Sequence, residues 1–425
     1  STGSDNTAVG NYALIENTSG AENVAIGSYA LDANTTADDN VAVGYQALTD
    51  NTTGGSNTAI GKTSLANNTT ANDNTAVGYQ TLFTNTTGAQ NTAVGKNVLV
   101  NATTADNNTA MGYHAADAIT TGDLNVAIGN DALGSNTVGD RNVAIGGSAL
   151  STYNPSTNED GYNVAVGLNA LFAATTGNQN TAIGGLTGAA ITTGASNSLL
   201  GYAAGNDITE GDFNTFIGRQ CGEKTTTSDG NTAVGYIALQ ENTTGALNVA
   251  VGQEALQKNT TASSNVAIGY QALEENTTGE ANVAVGTNAL DGPTTQNNNT
   301  AVGYDAAGVA AVSGLTAVGR GALAANTTGW NTAVGYLAGN AATTGGSSVY
   351  VGAEAGLVVT TGASNTMIGH RAGKSASTSS NNTFIGKECG QNSVSTTTGA
   401  DNTFVGSAVR GSGSTVSNEI AIGFN

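Results

Sequence analysis

Few residues in this 425-residue chain have side chains that could do chemistry, and their spacing keeps most of them apart. A metal centre or a nucleophilic triad needs His, Cys or carboxylate groups that converge. His114 and His370 are the two histidines; on the 17-residue period described below they stand roughly 15 repeats apart at different phases, so neither arrangement can be assembled around them. Cys221 and Cys389 share one phase, where Ala47 and Ala272 stand in other repeats. Ten repeats separate them, about 48 Å at a strand spacing of ~4.8 Å, which is beyond disulfide reach within one chain. Their expected role is that of small buried residues, with a link between chains as the alternative. Acids gather just before the strand in ten of the repeats, at Asp5, Glu22, Asp39, Asp73, Asp106, Asp123, Asp140, Asp212, Asp229 and Asp401. Such a column could hold Ca²⁺, but the Gly-Gly-x-Gly-x-Asp nonapeptide of calcium-binding β-rolls is missing. Solvated turn carboxylates are expected, and no cofactor beyond that Ca²⁺ alternative.

AsnThrThr at 34, 51, 68, 85, 242, 259, 276 and 326 matches the glycosylation sequon but reads as turn chemistry. Tyr45, Tyr79, Tyr113, Tyr202, Tyr236, Tyr270 and Tyr304 form a column on alternate repeats. If exposed, rings ~9.6 Å apart could stack on sugar units; the competing role is to seal a groove between neighbouring chains. The chain has no Gly-rich phosphate loop, paired buried carboxylates or nucleophile elbow, so it is not expected to be an enzyme. A polysaccharide-processing β-helix would need acids clustered on one face.

The elements that carry these residues are set by a repeat. The pentad Asn-Thr/Val-Ala-Val/Ile-Gly, or a close variant, begins at 6, 23, 40 and every 17 residues to 142, then recurs from 163 to 419, 25 copies in all. Only four intervals depart from 17; the longest inserts a surface loop at 151–162 that contains Pro155. The pentad alternates and is rich in β-branched residues, as a short strand is. AsnThrThrGly (51–54) is a turn, with Gly54 expected at positive φ. Seventeen residues are too few for a helical hairpin, and a strand-turn unit this small buries its apolar side only by stacking on copies of itself. The expected fold is all-β: a parallel β-solenoid (β-roll) of about 25 coils of 17 residues, a single repeat domain over 1–425, on the order of 115 Å long at ~4.8 Å per coil.

Composition agrees. The chain has 60 Gly, 10% charged residues and a net charge of −20, which excludes nucleic acid as a partner because that binding draws on Lys and Arg. Apolar runs fall short of the ~18–20 residues of a membrane span, so no direct membrane insertion is expected.

Numbering each coil from its Asn, positions two and four share one face and position three takes the other. Val9, Ile26, Val43, Ile60 and Val77 at position four, with Leu14, Leu31, Leu48 and Leu65 further on, are expected inside the coil. Position three is then expected outside, yet it is Ala8, Ala25, Ala42 and Ala59, with Ala predominating over 1–195, and becomes Leu199, Phe216, Tyr350, Met367, Phe384 and Phe404 over 196–425. An outward column that is apolar implies contact with other chains; the alternative is a thin coil in which position three lines its own interior. The Asn at position one should form an amide ladder along the stack.

These residues resemble a known family. AsnThrAlaValGly and AsnValAlaIleGly followed by TyrGlnAlaLeu (45–48, 270–273) look like the head repeats of trimeric autotransporter adhesins, and the longer form ending in AsnThrThrGly looks like repeats of bacteriophage tail fibres. The resemblance covers nearly all of the chain. It implies a homotrimeric left-handed β-roll rod in an extracellular attachment fibre, on a cell surface or a virion tail, non-catalytic and directed at a host receptor or glycan. The 17-residue coil is longer than the usual head repeat. The alternative is a monomeric ligand-binding solenoid, such as an ice-binding or carbohydrate-binding protein, although position two mixes Thr7, Thr58 and Thr75 with Val24, Val41 and Val126.

Overall fold

The computed structural model describes residues 2–292, 295–309, 312–390, 398–412 and 416–424. Among these the chain has 25 short strands and no helix. It divides into two compact units, Ser1–Asn214 and Thr215–Asn425. In the first, strands run from β1 (Thr7–Val9) to β12 (Ser198–Leu200); in the second, from β13 (Thr215–Ile217) to β25 (Ile420–Ile422). Within each unit every strand pairs in parallel with the strand one coil later, so that Ala42 lies opposite Ala59 and Ala250 opposite Ala267. Where a coil is longer, the extra residues leave in a loop and the register is kept: Ala144 pairs with Ala165, and Phe384 with Phe404. Each unit is a parallel β-solenoid, as the period predicts.

All but two of the described strands are only three residues long, because position five reverses the chain; Thr92–Lys96 and Thr109–Tyr113 run on to position six. Gly44, at φ 141, has no room for a Cβ, which would run into the carbonyl of Gly61 in the next coil. Positions seven, nine and seventeen also take left-handed backbone without being glycine, as in Gln46 (φ 54), Leu48 (φ 52) and Asp39 (φ 62). Each such residue costs about 1–2 kcal/mol, and the stacked coils must offset it. Gly54, in contrast, is not at positive φ. It is glycine because a Cβ would collide with the Ala71 carbonyl and with its own turn's Asn51 Oδ1 at 2.6 Å.

The expected sidedness of the strand is reversed. Ala25, Ala42 and Ala59 are fully buried inside the coil of a single chain, whereas Val9 (59% exposed), Ile26 and Ile60 face outward, as does Met111. Ala8, in the first coil, is exposed, since its strand pairs only with the next coil. The two strand faces alternate as expected, but a 17-residue coil is thin. Its interior already holds the position-nine leucines, with Leu31, Leu48 and Leu65 buried and Leu14 half-buried, so only a small residue fits beside them at position three.

Leu199, Phe216, Tyr350, Met367, Phe384 and Phe404 are also interior rather than at a contact with other chains. Room for them comes from glycine in place of leucine at or beside position nine. A Cβ on Gly222 would strike the Phe216 ring, one on Gly390 would lie 3.0 Å from Phe384, and one on Gly411 would lie 2.9 Å from Phe404. Gly356 and Gly373 stand in the same relation to Tyr350 and Met367. The larger side chains also reach into the preceding coil, where Gly188 faces Leu199 and Gly339 faces Tyr350. Small-plus-Leu and large-plus-Gly are thus two fillings of one cross-section, and Phe384 stacks on Phe404 at 5.2 Å.

The rest of the core is amide. Asn40 is fully buried: its backbone N–H donates to Asn23 Oδ1 (3.0 Å), and its Nδ2 donates to the carbonyls of Asp38 (3.1 Å) and Gly54 (2.9 Å). Its Oδ1 accepts the Asn57 N–H (3.0 Å), which continues the predicted ladder. A second ladder, which sequence reasoning assigned to turns, runs through the sequon asparagines: Asn34 Nδ2 donates to Asn17 Oδ1 (3.1 Å) and Asn68 Nδ2 to Asn51 Oδ1 (2.8 Å). It stops at Asn85, whose Oδ1 has no partner because the next coil offers Ala102. Asn34, Asn51, Asn68, Asn85, Asn242, Asn259, Asn276 and Asn326 are fully buried, so in the folded chain their amides serve packing rather than carry sugar. The 151–162 loop is anchored by Tyr153, which turns into the core at the place of a ladder asparagine; burial pushes its hydroxyl up to about 12.

Candidate functional site

The outward strand face is built from positions two, four and six. Position two is Thr, Val, Ser or Ile, and position four is Val, Ile, Leu or Met in every coil, without one charge. Ile26, Ile60, Ile183, Ile217 and Ile268 are each close to 40% exposed. In the first unit twelve strands at ~4.8 Å make a strip ~53 Å long, and two side-chain columns make it ~10 Å wide. That is ~500 Å² of β-branched surface, at the upper end of the largest apolar patch on an ordinary monomer.

Position six borders this strip and holds the tyrosine column. Tyr45, Tyr79, Tyr113, Tyr202, Tyr236, Tyr270 and Tyr304 are all exposed, between 42% and 52%. The coils between them contribute a partner that sequence reasoning missed. Lys62, Lys96, Arg219, Arg320 and Lys387 also stand at position six, five of the eleven Lys and Arg in the chain. Lys62 Nζ lies 5.9 Å from the Tyr45 ring centre, and Lys96 Nζ lies 6.0 Å from Tyr79 and 5.4 Å from Tyr113. Arg219 sits over Tyr236, and Arg320 lies between Tyr304 and Tyr336. The signal was available as Lys or Arg one period after Tyr.

The remaining candidates do not converge. His114 donates or accepts through Nδ1 at 2.7 Å from Asp117 and meets Asn97 through Nε2 at 3.2 Å, while His370 is exposed in the other unit. Cys221 and Cys389 are fully buried among the alanines of their column. Burial pushes their thiols up to about 12 and about 11, which leaves them unreactive. The acids before the strand have structural work: Oδ1 of Asp38, Asp106, Asp123, Asp140 and Asp212 each accepts a backbone N–H of the preceding coil at 2.6–2.7 Å. Asp123 is raised above the ordinary carboxylate range by burial, and its neighbours Asp140 and Asp106 add to this. Among the described residues no group of three or more His, Cys, Asp or Glu is placed to hold a metal ion. No protein-family model matches the chain, and no curated protein is similar to it.

Proposed function

We propose that the chain is a non-catalytic shaft of an extracellular attachment fibre, of a cell surface or a virion tail, in which copies associate through the outward strand face. The observation that carries this reading is the position-four column: an apolar side chain on every strand, close to 40% exposed at many coils, with no charge to discourage association. Each unit offers a strip of ~500 Å² for this association, at the upper end of the largest apolar patch on an ordinary monomer. A second copy also offers the same ~4.8 Å repeat, so that side chains can interdigitate coil after coil. Three copies is the number that the resemblance to adhesin heads and tail fibres implies. The acids at positions sixteen and seventeen stand outside the strip, where they keep assembled rods from clumping.

The test is native mass. The homotrimer is expected near 125 kDa, three times 41.7 kDa. Ile60→Lys and Val77→Lys alter side chains that face outward, so a folded monomer is the expected product; wild-type chain that runs as a monomer overturns the proposal. Ala42→Lys is expected to unfold its own coil instead, because Ala42 has no exposed surface. The second reading, a monomeric ligand-binding solenoid such as an ice-binding protein, would use the same two outward columns, although position two mixes Thr with Val. Aliphatic residues at position four favour association over that reading, and thermal hysteresis by a monomer would reverse the choice.

A further inference from the structure

The position-six column makes a second kind of surface beside the aliphatic strip. In a chain with a net charge of −20, cations would be expected to pair with carboxylates. Away from this column five of the six do: Arg141 with Asp160, Lys224 with Glu241, Lys258 with Glu275, and Arg371 and Lys374 with Glu354. Among the described residues, none of the five cations at position six has an ion pair; four of them lie over tyrosine rings instead. Their charge is therefore left for something outside the chain.

The alternation is most regular between residues 45 and 113, where Tyr45, Lys62, Tyr79, Lys96 and Tyr113 follow one another coil by coil. At its end the strands lengthen through position six, as Thr92–Lys96 and Thr109–Tyr113, and Lys96 pairs in register with Tyr113. In the three coils before them Tyr45, Lys62 and Tyr79 open the turn that follows the strand, at the same phase of the coil. Rings recur every ~9.6 Å with a cation halfway between. Beside them, Gln46 and Gln80 hold neutral, partly exposed amides at position seven, so no acid of that column opposes an anion here.

We infer that the strip from Tyr45 to Tyr113 binds an extended acidic polysaccharide. Sugar faces stack on the tyrosines, carboxylates meet Lys62 and Lys96, and the glutamine amides take hydroxyl groups. The ring spacing is close to the two-residue repeat of an extended 1,4-linked chain, which places one anionic sugar near each lysine. A neutral glycan would use the rings and leave both ammonium groups unpaired.

The probes are polygalacturonate and neutral hydroxyethyl cellulose, compared by affinity electrophoresis at low and high salt with the full chain. Polygalacturonate is expected to bind at least roughly tenfold more tightly, and to be weakened by salt. Lys62→Gln with Lys96→Gln should lower that affinity roughly tenfold and remove most of the salt dependence, and Tyr79→Ala should lower it for both polymers. Lys224→Gln with Lys258→Gln, which removes the same charge from ion-paired sites, should change it little. Equal binding of acidic and neutral polymer, binding of neither, or equal losses in the two lysine pairs would overturn the inference. Native mass measured on the same variants keeps this result separate from self-association, which uses positions two and four.

Discussion

Converting one coil from its large-plus-Gly filling to the small-plus-Leu filling tests the account of the core. Phe216 is fully buried, and the Cβ of any residue replacing Gly222 would strike its ring. Phe216→Ala alone should cost about 3–5 kcal/mol, since a phenyl-sized cavity opens in a closed coil. Gly222→Leu alone meets two costs. Leu at φ 58 carries about 1–2 kcal/mol of left-handed strain, and the collision with the ring adds about 1–3 kcal/mol of overpacking. Together the singles sum to about 5–10 kcal/mol. The double variant, however, recreates the filling of the next coil, where Ala233 is buried beside Leu239 at φ 54. Leu then occupies the space of the ring, and a net loss of about 1–3 kcal/mol remains. The coupling between the two sites should therefore be at least about 2 kcal/mol in the favourable direction. Because solenoids open locally, the measurement is hydrogen exchange of the backbone amides of this coil, together with the denaturation midpoint. A double variant as unstable as the sum of the singles would refute the complementary-filling argument.

Three further outcomes follow from the same core. Asn57→Ala removes the acceptor of the Asn74 N–H (3.0 Å) and the donor to the Ala71 carbonyl (2.9 Å), so it should cost about 2–5 kcal/mol in the denaturation midpoint from two stranded buried groups. Cys221 and Cys389 should resist a thiol reagent in the native chain and react fully in denaturant, because both are buried with thiols at about 12 and 11; rapid native labelling would place them elsewhere. Asp291 is pushed up to about 6 by burial, with Asp305 adding to it. The folded chain then holds this proton more tightly than the unfolded one, so stability falls as pH rises from about 4 to about 6. Asp291→Asn should remove that slope in melting temperature and gain less than about 1 kcal/mol at pH 7, after discounting for its solvent exposure.

The period, the parallel one-coil register and the amide ladder at position one were legible from residue spacing alone. Each follows from short-range rules: β-branched alternation, glycine punctuation, and side-chain amides that recur at one phase. The site was half legible. The tyrosine column could be read, but its cations were missed because they occupy the intervening coils and become a pair only when neighbouring strands are ~4.8 Å apart.

Sequence by itself determined that this protein is a stack of 17-residue strand-turn coils with two distinct strand faces. Only the tertiary structure decided which face is the inside. Alternation is symmetric: it separates Ala42 from Val43 but assigns neither to the core. The choice depends on the volume enclosed by the whole coil, where Leu48 and the two asparagine ladders leave space for a methyl group and no more. The same volume explains why Phe216 enters only where Leu has become Gly222, a compensation between positions six residues apart in sequence and in contact in space. It also leaves the aliphatic column outside, where a second chain can reach it.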